Sequence, residues 1–192
     1  MSTHQAPRPS RRAFLRHGLL GAAVLGVAPL RRLWAADGSA PAQVMLEFFD
    51  DNGRDLGLRA FAKPQLSAEQ WRQRLSSESF HVTREAGTEF AYSGQYWNNH
   101  GKGLYRCIAC GTALFDSAAK FDSGTGWPSF YQPIAKANVV ETADDSLGMQ
   151  RIAVSCKGCD SHLGHVFDDG PQPTGQRYCM NGLSLKFEPK QG

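Results

Sequence analysis

Arg151-Ile152-Ala153-Val154-Ser155-Cys156-Lys157-Gly158-Cys159 is the stretch on which the fold turns. Ile152, Val154 and Cys156 alternate with Arg151, Ala153 and Ser155, the period-two pattern of a half-buried strand, and that strand runs directly into a Cys-x-x-Cys turn. Leu183, Leu185 and Phe187 alternate with Ser184, Lys186 and Glu188 in the same way. Beyond Gly101 such short segments are separated by Gly and Pro clusters, which predicts an antiparallel, mainly β domain; a parallel sheet would need long crossover helices. No internal repeat is found.

Upstream the signals differ. Residues 44 to 61 carry Phe48, Phe49, Leu56 and Leu58 around Asn52-Gly53, which predicts a short hairpin. Ser67-Ala68-Glu69-Gln70 has the form of a capping box, so a short helix is expected through Leu75. A second is expected from Ser77 to Ala86, with Gly87 as its left-handed stop. Both helices are expected to be peripheral. With 192 residues and 41% hydrophobic content, one domain plus a terminal extension suffices.

The formal charge of +3 belongs to the first 36 residues, which hold six Arg and no acid; the rest carries 15 Lys+Arg against 18 Asp+Glu. No basic stripe is left for phosphates, which excludes a nucleic-acid binder. Ser10-Arg11-Arg12-Ala13-Phe14-Leu15-Arg16 precedes an uncharged, mostly apolar run from Gly18 to Leu30, the layout of a charged and then hydrophobic leader. A membrane anchor is the competing reading, but a spanning helix wants roughly 20 apolar residues, so cleavage with no stable span afterwards is expected. The paired arginines resemble the bacterial twin-arginine export signal, which implies a folded cargo and a periplasmic destination. Residues 1-36 are thus read as the signal, 37-62 as an extension and 63-190 as the domain.

Five cysteines remain to be placed. Cys107-Ile108-Ala109-Cys110 and Cys156-Lys157-Gly158-Cys159 form two knuckles, and four thiolates make one tetrahedral zinc site. Local redox disulfides, long-range disulfides and buried unpaired thiols compete with that reading. Cys179 has no partner once the metal takes four. It is either a buried structural thiol or a nucleophile, and strand parity puts it on one face with Arg177 and Asn181, opposite Tyr178 and Met180. The guanidinium would favour the thiolate there, and Asn181 could donate a hydrogen bond. His162 and His165 follow the second knuckle as candidate proton donors. With Asp168 they also spell His-x-x-His-x-x-Asp, a rival second metal site for a hydrolase; a zinc-ribbon binding module is the other alternative.

Gly124-Thr125-Gly126-Trp127-Pro128-Ser129-Phe130, His162-Leu163-Gly164-His165-Val166-Phe167 and Arg177-Tyr178-Cys179-Met180-Asn181, threaded with both knuckles, resemble the B-type methionine sulfoxide reductases. The resemblance covers roughly residues 63 to 188. It implies two antiparallel sheets, and one structural zinc remote from the chemistry on Cys107, Cys110, Cys156 and Cys159. Cys179 falls on the catalytic cysteine, His162, His165 and Asn181 on the other polar active-site positions, and Trp127 on the aromatic that binds the substrate methyl. The implied substrate is methionine-R-sulfoxide, free or in oxidised proteins, with a thioredoxin-like or small-thiol reductant. Thr125 departs from the pattern, because many members carry a resolving cysteine there, so recycling must differ. Met180 and Gly182 also differ from the commoner residues but alter little polar chemistry.

Overall fold

The computed structural model describes residues 41–191. The leader and its cleavage region therefore lie outside the described residues. Strands β1 (Gln43–Phe49) and β2 (Asp55–Ala62) form the expected hairpin around Asn52-Gly53, with Gly53 at φ 81°. Helices α1 (Ala68–Arg72) and α2 (Ser77–Glu85) follow. The capping box is realised in full: Ser67 Oγ accepts from Gln70 N at 3.2 Å, and Ser67 N donates to Gln70 Oε1 at 2.8 Å.

Two expectations about the helices change. The left-handed residue closing α2 is Ala86, at φ 55°, rather than Gly87. A Cβ at Gly87 would lie 2.4 Å from the ring of His81, an exposed side chain that would have to swing aside. Nor are the helices merely peripheral, since Trp71 and Phe80 enter the hydrophobic core.

Nine further strands follow in chain order. They are β3 (Gly103–Cys107), β4 (Ala113–Asp116), β5 (Lys120–Phe121), β6 (Ser129–Phe130), β7 (Val139–Asp144), β8 (Arg151–Cys156), β9 (His162–Phe167), β10 (Arg177–Met180) and β11 (Leu185–Pro189). They build the two expected sheets, six strands in the order β5-β6-β10-β9-β8-β7 and three in the order β11-β3-β4, every pairing antiparallel. Leu183 and Ser184, read as strand from their alternation, lie instead in a 3₁₀ turn before β11.

Between the sheets, Tyr105, Leu114 and Phe115 meet Phe130, Val154, Leu163, Tyr178 and Met180. Phe115 and Phe130 stack with ring centroids 4.4 Å apart. β10 thus turns Tyr178 and Met180 into the core and leaves Arg177 and Cys179 on the opposite face, as their parity requires.

One link between the hairpin and this body is the amide of Asn138, which is buried. Asn138 Oδ1 accepts from Glu47 N at 2.8 Å, and its Nδ2 donates to the carbonyls of Glu47 and Ala113 at 2.8 and 2.9 Å. Truncating that side chain strands three backbone groups, one of them fully buried. Asn138→Ala is therefore expected to cost about 2–3 kcal/mol, read as a lower urea midpoint at unchanged slope. An unaltered midpoint would mean that the hairpin is not held this way.

Candidate active site and cysteine cluster

β3 and β8 each end on a cysteine, and the turn that follows each brings back a second one. The four sulfurs lie within 4.8 Å of one another, with Cys107 to Cys159 and Cys110 to Cys156 both at 3.6 Å. That is too long for a disulfide, whose sulfurs are about 2.05 Å apart. It matches a tetrahedral thiolate site, where bonds of about 2.3 Å give edges of about 3.8 Å. Four cysteines held this close could bind a metal ion. Gly158 is required by close approach, since a Cβ there would sit 2.6 Å from Thr112 Oγ1 and 3.3 Å from Cys110 Sγ. Among the described residues no such grouping joins His162, His165 and Asp168.

Cys179 opens onto a pocket of about 140 Å³, shared with Thr88, Trp127, Arg151, His165 and Asn181. Across β9 and β10 it is paired directly with His165, so the two side chains stand side by side on one face. The strands can approach this closely because residue 164 is glycine: a Cβ there would lie 2.1 Å from the Cys179 carbonyl oxygen. Thr125 Oγ1 is 3.9 Å from Cys179 Sγ, on a loop whose ends Tyr92 ties down through Gly124 and Gly126.

Burial pushes the Cys179 thiol up, opposed by Thr125, Arg177 and Ser129. The expected help from Arg177 is present but does not prevail. The reason is geometric, because Arg177 is committed to a bidentate pair with Asp169, at 2.8 Å through both Nε and Nη2. Asn181 is likewise largely engaged: its Oδ1 accepts from Glu89 N and its Nδ2 donates to Leu163 O. One Nδ2 hydrogen is left for the pocket.

His165 and His162 sit with ring centroids 5.3 Å apart, but only His165 is on the pocket wall. His165 Nε2 lies 2.7 Å from Asp144 Oδ2, which Arg151 Nη2 also reaches at 2.8 Å. His162 is buried, and burial, followed by the charge on His165, lowers its pKa to about 4. It is neutral at pH 7.

A consequence for stability follows. The folded-state pKa of His162 lies below its ordinary 6.5, so the unfolded chain binds the proton more readily. Stability contributed by neutral His162 is full above about pH 6.5 and is lost as pH falls toward 4. His162→Asn is expected to flatten that acid limb, whose slope for one proton is at most about 1.4 kcal/mol per pH unit. A limb of unchanged slope in urea titrations would refute this.

Glu89, Asp144 and Arg151 were not anticipated from the sequence. Glu89 is buried; its carboxylate accepts from Gly182 N at 2.6 Å and Leu183 N at 2.9 Å, and its carbonyl accepts from Trp127 Nε1 at 3.1 Å. It fixes two walls of the pocket from a loop that shows no periodicity. Arg151 shares the parity of Ala153 in the decisive strand. Its partner Asp144 becomes visible only through the pairing of β7 with β8.

These features define a class before they define a protein: a two-sheet β domain with a four-cysteine cluster and a separate thiol beside a histidine and a tryptophan. The SelR domain family matches residues 75–189, and the chain belongs to that family. Among its relatives, peptide methionine sulfoxide reductase MsrB of Thiobacillus denitrificans is 57% identical over 121 residues, covering 63% of this chain and 92% of the relative. MsrB of Pseudomonas paraeruginosa is 56% identical over 124 residues, covering 65% and 94%. The chloroplastic reductase B1 of Arabidopsis thaliana is 52% identical over 138 residues, covering 71% and 67%.

Proposed function

We propose that Cys179 is the nucleophile with which this protein, an oxidoreductase of the peptide-methionine (R)-S-oxide reductase type, reduces methionine sulfoxide. The observation that carries the proposal is the division of the cysteines. Four are gathered in one cluster, while the fifth faces a pocket with His165 beside it and Trp127 on the wall.

A sulfoxide oxygen leaves its sulfur only if it is protonated and hydrogen-bonded as it goes. Cys179 attacks the sulfoxide sulfur while the His165 imidazolium gives a proton to the oxygen. The oxygen passes to Cys179, whose sulfur loses the two electrons that the methionine sulfur gains. Methionine departs, and a sulfenic acid remains on Cys179. The apolar face of Trp127 suits the S-methyl group and disfavours the oxygen, which orients the substrate. Asn181 supplies one amide hydrogen to the same pocket, and His162 supports the His165 ring from behind as a neutral neighbour.

Recycling falls to an external dithiol, thioredoxin-like or small. One thiol forms a mixed disulfide with Cys179 and releases water; the second then frees the enzyme. Thr125 has no sulfur with which to do this internally, and a cysteine bound to metal is a poor resolving group. Zinc is the ion proposed for Cys107, Cys110, Cys156 and Cys159, because an all-thiolate tetrahedron suits it, and its part there is to hold the fold.

The leader supports an exported enzyme that repairs oxidised proteins in the periplasm. Among the described residues no helix is long and apolar enough to cross a membrane. Arg11→Lys with Arg12→Lys is expected to strand the precursor in the cytoplasm, seen by fractionation. Undiminished periplasmic enzyme would remove the export reading. The reductase reading is tested by turnover of methionine-R-sulfoxide with dithiothreitol, with the S epimer as control.

A further inference from the structure

We propose that Asp144 is a positioning residue for the proton donor: its Oδ2 holds His165 Nε2, leaving Nδ1 as the nitrogen that exchanges a proton with the sulfoxide oxygen. The proposal rests on the reductase reading above and concerns a residue thirty-five positions from the nucleophile in the chain.

The geometry is that of a shared oxygen. Asp144 Oδ2 is 2.7 Å from His165 Nε2 and 2.8 Å from Arg151 Nη2, while its Oδ1 accepts from Ser146 N at 3.0 Å. A hydrogen bond from Ser146, then one from His165, keeps the Asp144 carboxyl well below the usual carboxylate range. An ionised carboxylate can only accept, so Nε2 must carry a hydrogen whether the ring is charged or neutral. The proton that leaves an imidazolium held in this way is the one on Nδ1. Its loss gives the Nε2–H tautomer that Asp144 continues to hold, so the ring donates without having to turn.

Register explains why the carboxylate arrives there. Asp144 closes β7 opposite Arg151, His165 pairs with Ala153 on β8, and Cys179 pairs with His165 on β10. All of these side chains lie on the face of the six-stranded sheet turned away from the core. The charged and titratable groups near the His165 ring are then Asp144 from β7, Arg151 from β8, neutral His162 from its own strand, and Cys179 with Arg177 from β10. Arg177 is held off by Asp169 and by the ring of Phe167, 4.4 Å away. Asp144 is the acid in direct contact with His165. Arg151 also lines the pocket, and its buried Nε has no hydrogen-bond partner, so the pair with Asp144 sets one wall of the substrate site as well.

The test is a double-mutant cycle on the full-length mature enzyme, reading kcat and KM for methionine-R-sulfoxide across pH. Asp144→Asn should lower kcat by about 10- to 100-fold, less than the loss of a general acid at its upper range, with KM little changed. Asp144→Glu should restore part of the rate. In a His165→Gln background, Asp144→Asn should have less than about a twofold effect, since groups acting as one unit are not additive. Asp144→Ser provides a second removal, and unchanged melting with unchanged alkylation of Cys179 checks that each variant is folded. Full additivity in the cycle, or a kcat of Asp144→Asn within about twofold of the unaltered enzyme, would overturn the proposal. Turnover by Cys179→Ser would instead defeat the assignment of the nucleophile, and absence of turnover by the unaltered enzyme would defeat the reductase reading itself, both separate results from the same assay.

Discussion

Serine in place of Cys179 is expected to abolish reduction of methionine-R-sulfoxide, lowering kcat at least about 10³-fold while the protein folds and melts as before. A serine oxygen is too weakly nucleophilic for a sulfoxide sulfur, and no second thiol stands in the pocket among the described residues. Thr125 is the nearest candidate by position, and its hydroxyl bonds to Ser123 at 2.8 Å. Steady-state kinetics with dithiothreitol decide the matter. Retention of a tenth or more of the wild-type rate would mean that the chemistry lies elsewhere.

The second large effect concerns the metal ion proposed for the cysteine cluster. Stripping it with a strong chelator, or replacing Cys156 with serine, is expected to unfold the domain rather than slow the enzyme. Structural zinc in small finger peptides binds with roughly 10–16 kcal/mol, comparable with the whole stability of about 5–15 kcal/mol of an ordinary domain. The location supports the same outcome. Cys107 and Cys156 terminate strands of different sheets, so the ion would cross-link the two layers beside a core in which Cys107, Cys156 and Cys159 are buried. Far-UV circular dichroism and elemental analysis of the treated protein provide the check. A zinc-free protein with an unchanged melting curve would contradict it.

How much of this could be read from the chain depends on the distance over which each feature is set. The alternation through Arg151 to Cys156 and the parity of Arg177 to Met180 are local, and both survive in β8 and β10. The knuckles are also local, since a two-residue spacing already points two sulfurs the same way. Capping at Ser67 needed only four residues. Features set by strand pairing were not legible. Asp144 meets His165 because β7 and β9 flank β8, an arrangement that no spacing announces.

Three residues changed in meaning once their neighbours were known. Arg177 and Asn181 fall on the expected face or beside it, but Asp169, Glu89 and Leu163 take up most of their hydrogen bonds. By sequence His162 offers the same imidazole as His165, yet its burial keeps it neutral at pH 7. Short motifs specify which groups are offered; burial and long-range partners decide which of them stay free to react. The helix stop shows the same thing on a smaller scale. Gly87 carries the signal for a left-handed residue, but the chain turns one position earlier, at Ala86, at a cost of roughly 1 kcal/mol.

The most direct test of the central claim is to follow the oxidised atom itself. Reduced, zinc-loaded protein is treated with one equivalent of methionine-R-sulfoxide, then with a reagent specific for sulfenic acids, and mapped as peptides without reductant. The account predicts one adduct per chain, on Cys179, with the four cluster cysteines unmodified and zinc retained. A disulfide joining Cys179 to any of Cys107, Cys110, Cys156 or Cys159 would contradict it, because recycling would then run through the chain's own metal site.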